Sequence, residues 1–364
     1  MNILFISLLR IGDFLMHAKI AQSLKDKDQQ ISVHFLVNDL ITEDLRNMFP
    51  FIKFHVFTRF KYEKMINSFE TPLLYPFWSL KSFIQDINTV EFDAVYDLTL
   101  QNISSRFLSL VNSKNKKGVF SWKPFLSSNN ESFKKTIFQI HDKNQMQHYL
   151  DSLKQLYNFE LEPGYAEVKD SKLILFQITT SDAKKSLDLN KWVNIIQFLK
   201  NYNRSYQYKV LSSPHEFKSI NKFFKKEDII SASFSEAFRV LEGTQLLVSL
   251  DTSIKHLAVW SKTPTLEISI GSSHPIKTSG YQQGNYVLSS DYHCRPCDHS
   301  SSCIYNRNHC QDSISEDLIV NFIKLWIQER SLVNFSFLTI SKGNELSIKK
   351  GEPWITSRPK EIYL

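Results

Sequence analysis

A chain of 364 residues is longer than one hydrophobic core serves, so two domains are expected. Hydrophobic residues make up 42% and include 28 Phe, against 22% charged, which excludes wholesale disorder. The net charge of +7 favours acidic ligands such as nucleotides, phosphorylated lipids or an anionic membrane surface, but the basic residues are scattered and form no aromatic–basic ladder of the RRM kind, so nucleic acid is not expected.

The opening stretch MNILFISLLRIGDFLM is apolar, yet it lacks a basic leader and is interrupted by Arg10 and Asp13, so it reads as a strand entering a helix rather than a signal peptide. No apolar run approaches the ~20 residues that a membrane span needs. A cytoplasmic location is expected, with peripheral contact at the inner membrane left open. The patterns predict strands over 2–9, 31–37 and 92–98, with helices over 14–25 and 102–111. A second series starts with KLILFQI (172–178), then a helix over 189–200 and strands over 206–212 and 244–250. A helix from Ser253 and a strand over 265–270 complete it. Strands alternating with helices predict an α/β protein with parallel sheets and crossover connections. The restart follows LEPGYAEVKDS (161–171), whose Pro-Gly and polar character suits a linker. Two doubly wound domains, 1–165 and 166–330, are therefore expected to face one another across a cleft. The tail, 331–364, predicts only a short β-hairpin turning near Gly343 and Asn344.

Four stretches could carry chemistry. In LLRIGDFLM (8–16), Asp13 opens a helix just past a buried strand, at the edge where α/β proteins bind ligands. It could cap that helix, act as a general base, or do both. In FQITTSDAKKSLDLNKW (176–192), Thr179 and Thr180 supply hydroxyls and N–H groups, and Lys184 or Lys185 supplies a cation. That set suits a diphosphate, or is an ordinary polar loop; it is no Walker A loop, for it lacks glycines. In SLDTSIKHLAVW, Asp251, Thr252 and Ser253 stand where a strand hands over to a helix, whose free N–H groups favour anions. Asp251 is then suited to the hydroxyls of a sugar. His256 follows on the same helical face, as a ligand group or a structural histidine. Finally, all four cysteines, Cys294, Cys297, Cys303 and Cys310, are spaced C-x2-C-x5-C-x6-C. Four thiolates can converge on one tetrahedral ion, zinc or iron, in a closed and therefore structural site. Disulfides and unlinked thiols are the competing readings.

These stretches, in this order, resemble the lipopolysaccharide heptosyltransferases, glycosyltransferase family 9. Arg10, Gly12 and Asp13 match its R-x-G-D turn. Thr179, Thr180, Asp182 and Lys184 match its T-T-x-D-x-K phosphate loop. DTSIKHLAVWSKTPT matches its D-[TS]-G-x-x-H-L-[AT] element and the following proline break. Many members carry a C-x-P-C cluster just downstream, and a branch that glycosylates autotransporter proteins has a similar iron-binding four-cysteine finger. The resemblance implies a GT-B fold of two Rossmann-like domains, the first taking the acceptor and the second the nucleotide sugar. It also implies inverting transfer of heptose from ADP-heptose to a lipopolysaccharide core or related glycan, without a catalytic metal. Asp13 would be the general base, with Arg10 and Gly12 on the acceptor side. Thr179, Thr180 and Lys184 would hold the diphosphate, Asp251 the sugar, and Thr252, Ser253 and His256 the phosphate end.

The sequence departs from the family at Ser253, where Gly is usual, and at IGSSHP (270–275), which stands where G-P-T-D-P is common. A protein acceptor, and a non-catalytic metal-containing relative that binds nucleotide sugars, remain as alternative readings.

Overall fold

Buried parallel strands read as largely apolar runs, and the central strands form on such runs. In the computed structural model, which describes residues 1–58, 75–118, 147–290, 292–297, 302–305, 308–330 and 337–341, the chain forms two units. The first is Met1–His141 with Leu150–Leu161, and the second is Asp142–Tyr149 with Glu162–Leu364.

In the first unit β1 (Asn2–Ser7), β2 (Ser32–Asn38), β3 (Ile52–Phe57), β4 (Ala94–Asp97) and β5 (Lys116–Lys117) form one sheet in the order β3-β2-β1-β4-β5. All its pairings are parallel. This is the doubly wound order, with its switch point between β1 and β4. Leu4, Ile6, Phe57, Phe92, Val95 and Phe107 pack one core of this unit, each large side chain contributing roughly 1.5–3 kcal/mol by leaving water.

The second unit repeats the arrangement. Its strands are β7 (Leu173–Gln177), β8 (Gln207–Ser212), β9 (Ile229–Ser231), β10 (Leu246–Leu250), β11 (Thr265–Ser269), β13 (Asn285–Ser290) and β14 (Phe337–Ser341). They are ordered β14-β13-β11-β10-β7-β8-β9 and are parallel throughout, with a switch point between β7 and β10. The short strands β6 (Gly164–Tyr165) and β12 (Gln282–Gln283) pair separately. Local signals start the helices. Asp188 caps Leu189–Tyr202, Ser233 and Glu236 form a capping box on Phe234–Glu242, and Ser315 caps Glu316–Gln328. Trp192 and Trp326, on the first and last of these, are fully buried in the core.

The second unit begins slightly before the expected 166 and also takes in Asp142–Tyr149. His148 explains why, because its Nε2 donates to the Ser279 carbonyl (3.1 Å) and its ring packs on Tyr281. In the tail, β14 lies parallel to β13 as an outer strand of the main sheet. The rest of the expected hairpin, including Gly343 and Asn344, lies outside the described residues.

Candidate active site

Thr179 and Asp251 stand just past β7 and β10, the two strands flanking the switch point of the second sheet. Gln177, the last residue of β7, ties their loops together. Its Nε2 donates to the Thr179 carbonyl (2.5 Å) and Oγ1 (3.2 Å), while its Oε1 accepts from Ser249 Oγ (3.3 Å) and Thr252 Oγ1 (3.0 Å). Thr252 is the cap residue of helix Ser253–Trp260 but makes no side-chain cap bond, its hydroxyl being spent on Gln177. The first N–H groups of that helix thus have no capping side chain, which suits an anion.

The Thr179–Lys185 loop is shaped by its own side chains. Thr180 Oγ1 accepts from the Asp182 N–H (3.2 Å), and Asp182 Oδ1 accepts from the Lys184 N–H (3.0 Å). Asp182 Oδ2 accepts from Ser272 Oγ (2.6 Å), which brings in the loop after β11. Burial works against the Asp182 charge, but these bonds and the neighbouring lysines hold its carboxyl below the usual range.

Asp251 sits in a chain of charges. Lys185 Nζ lies 2.6 Å from Asp251 Oδ2, and Lys255 Nζ lies 2.5 Å from Asp251 Oδ1 and 2.7 Å from Glu267 Oε1. Lys255 and Glu267 are wholly buried. Desolvation disfavours the Asp251 carboxylate, yet the two ammoniums outweigh it and hold its pKa far below the usual value. Burial, with Asp251 nearby, pushes Glu267 up to about 7 against the pull of Lys255, and Glu267 Oε2 has no hydrogen-bond partner. His256 is buried, and desolvation reinforced by the Lys255 charge drives its pKa well below the ordinary value. It is a neutral imidazole, its Nδ1 without a partner, so it can offer a phosphate a hydrogen bond but not a positive charge.

In the first unit, the loop after β1 is held by its neighbours: Leu8 N–H donates to Thr99 Oγ1 (2.8 Å), and Asn38 Nδ2 donates to the Leu8 (2.9 Å) and Leu9 (2.6 Å) carbonyls. Helix Ile11–Lys27 starts here, so Gly12 lies in its first turn. Asp13 Oδ2 accepts from the exposed Arg10 N–H (3.1 Å). The carboxylate thus caps the helix start. Asp97, a buried carboxylate of the same unit, is spent on structure: it accepts from the Thr99 and Leu100 N–H groups (2.9 and 3.0 Å) and from Ser104 Oγ (2.8 Å).

None of the four cysteines is in a disulfide, and Cys310 is buried. They are near enough to influence one another. Burial, and then Cys294 and Cys303, push the Cys297 thiol up, while burial foremost, with Cys297 and Cys303, raises that of Cys310. Among the described residues no three His, Cys, Asp or Glu side chains are grouped as a ready metal site.

The sequence profile of glycosyltransferase family 9 (heptosyltransferase) matches residues 80–306. The chain belongs to this family. It is a glycosyltransferase, and its fold agrees with those of solved structures. E. coli heptosyltransferase WaaC with ADP-2-deoxy-2-fluoro heptose is 15% identical, with a TM-score of 0.63 over 89% of this chain and 99% of that one. E. coli ADP-heptose LPS heptosyltransferase II is 12% identical, with a TM-score of 0.59 over 91% and 100%. The iron-containing dodecameric glycosyltransferase TibC of enterotoxigenic E. coli H10407 is 12% identical, with a TM-score of 0.51 over 91% and 79%. Such likeness identifies the GT-B fold of two Rossmann-like domains. No curated protein sequence matches the chain.

In this family 9 chain, Thr179, Thr180, Lys184, Asp251, Thr252, Ser253 and His256 all belong to the second unit, and Arg10, Gly12 and Asp13 to the first. Reading the sequence missed Gln177, Lys255, Glu267 and Ser272. Two of them carried a signal, an acid inside the apolar strand TLEIS and a lysine inside the apolar helix SIKHLAVW. Opposite charges in buried elements imply a pair. No described helix is long and apolar enough to cross a membrane.

Proposed function

We propose that the chain transfers a heptose, with inversion, from ADP-heptose to a lipopolysaccharide core or related glycan. The observation that carries this reading is the uncapped helix start at Ser253 beside Asp251 and the Thr179–Lys185 loop, at the carboxyl ends of adjacent strands. The helix N–H groups, the Thr179 and Thr180 hydroxyls and Lys184 would hold the diphosphate, and neutral His256 would donate to it. Asp251 would accept from sugar hydroxyls through lone pairs that Lys185 and Lys255 leave over. Asp13 would take the acceptor hydroxyl proton as that oxygen bonds to the anomeric carbon. The bond from that carbon to the phosphate oxygen breaks, and ADP leaves with the electron pair. Fixed donors and cations stabilise the departing charge, so no catalytic metal is needed. WaaC and TibC, whose structures carry ADP-heptose or its fluoro analogue, support the donor.

Cys294, Cys297, Cys303 and Cys310 would together hold one structural zinc or iron. None is held in a disulfide, and burial, with the neighbouring thiols, raises the pKa of Cys297 and Cys310, effects that a bound cation would offset. The positive net charge suits a phosphorylated lipid-linked acceptor at the inner membrane surface. Transfer to a protein is the second reading, favoured by the four-cysteine finger.

The test is a binding titration with ADP-heptose, ADP and UDP, repeated with Lys184→Ala. The reading expects adenine nucleotides to bind and the variant to lose them. A preference for UDP would overturn the donor, and no binding at all would leave a non-catalytic relative. Mass analysis of glycan and protein acceptors after reaction separates the two acceptor readings.

A further inference from the structure

The cysteine finger grips the phosphate loop from two sides, and Arg295, between its first two cysteines, is the chief fastener. An arginine has five N–H donors, and Arg295 spends all of them on the carboxyl ends of β11 and β13 and the loop between. Nε donates to the Gly271 carbonyl (3.4 Å). Nη1 donates to Ser289 Oγ (2.7 Å) and the Ser290 carbonyl, and Nη2 to Ser269 Oγ (2.9 Å) and the Ser273 carbonyl (3.1 Å). The Cys297 N–H adds a bond to the same Gly271 carbonyl (3.2 Å).

The loop so held abuts the phosphate loop. Gly271 has φ +60°, and a Cβ there would overlap the Lys184 carbonyl. Its neighbour Ser272 is the residue bonded to Asp182. From the other limb of the finger, Asn308 Nδ2 donates to the Lys184 carbonyl (3.1 Å). The segment carrying Lys184 and Lys185 is a single short turn, Ala183–Lys185, too short to be stable alone.

We propose that Arg295 is a positioning residue. It fixes the 269–273 loop, and through Gly271 and Ser272 the Asp182–Lys185 turn, so that the finger and the donor phosphate site form one cooperative element. The ligand half of this inference rests on the donor assignment above; the positional half does not.

The experiment is hydrogen exchange by mass spectrometry on the full chain, with ADP titrations alongside, for Arg295→Lys and Arg295→Gln. Lysine keeps the charge but not the fork. Exchange over 180–186 and 269–274 is expected to rise about tenfold or more in Arg295→Gln and less in Arg295→Lys, while a peptide over 2–7 is unchanged. ADP affinity is expected to fall in the same order while the melting temperature of Arg295→Lys stays near that of the wild type. Faster exchange confined to the finger, with 180–186 unchanged, would overturn the inference. Should Arg295→Gln fail to fold, Ser272→Ala removes only the link to Asp182. It is expected to loosen 180–186 and leave the finger protected, and no change there would equally overturn the inference. A wild type that does not bind ADP would refute the donor assignment, and the exchange data would still decide the positional claim.

Discussion

Replacing Glu267 by Gln keeps the shape and the Lys255 contact but removes a carboxyl group that titrates near 7 in the folded chain. The folded pKa lies above the ordinary glutamate value of 4.5, so the folded state binds the proton more tightly than the unfolded state. Glu267 therefore contributes stability below pH 4.5, which is lost as pH rises through 7. Each pH unit between the two values is worth about 1.4 kcal/mol, and the whole interval about 3 kcal/mol. The stability of Glu267→Gln relative to the wild type should accordingly climb between pH 4.5 and 7 and level off above it. Asp251, whose folded pKa is depressed, loses its contribution only as pH falls below the ordinary carboxylate range, outside this window. Urea unfolding followed by circular dichroism at half-unit intervals from pH 4.5 to 8.5 measures the difference. Two stability curves that run parallel across that range would refute the buried-charge account of this site.

Lys255→Met strips Glu267 of its cation and Asp251 of one of two, and should cost about 3–5 kcal/mol in the same unfolding assay. Asp13→Asn should lower transfer by about 10²–10⁴-fold in a coupled ADP-release assay while ADP affinity holds. Gly271→Ala forces a side chain into the left-handed region and against Lys184, costing at least about 1–2 kcal/mol and weakening ADP, whereas Gly243→Ala, where a Cβ would lie 3.7 Å from the Val240 carbonyl, should leave ADP binding alone. Elemental analysis of the purified chain should find about one zinc or iron per molecule, falling towards zero in Cys294→Ser.

The central strands were legible because a strand covered on both faces is apolar at most positions, as NILFIS and LLVSL are. The strand NYVLSS was not, although every residue of it is buried. Its Ser289 and Ser290 can be polar because the Ser289 hydroxyl accepts from Arg295 and the Ser290 hydroxyl from Ser313, and no local pattern announces partners that arrive from later in the chain. The strand IKFHVF was missed for a related reason, since its Lys53 and His55 interrupt the apolar run. The candidate site divides the same way. Thr179, Thr180 and Asp251 declare themselves by standing just past a strand. Ser272 and Asp182, 90 residues apart, are related only through the fold. The first unit ends at Leu161, a few residues before the expected boundary, and the return of Asp142–Tyr149 to the second hangs on contacts of His148 that its sequence neighbours do not foretell.

Gln177 joins the loops after β7 and β10 through an uncharged amide. Lys185 and Asp251 join the same loops through charges; the amide neither gains nor loses a proton. Its orientation is set without ambiguity, because the Thr179 carbonyl can only accept. A diphosphate bound as proposed would draw on the lysines and carboxylates around it, whereas the bonds of the amide to Thr179 and Thr252 offer no charge to draw on. The ends of the two strands would then keep a constant gauge while the electrostatics between them change.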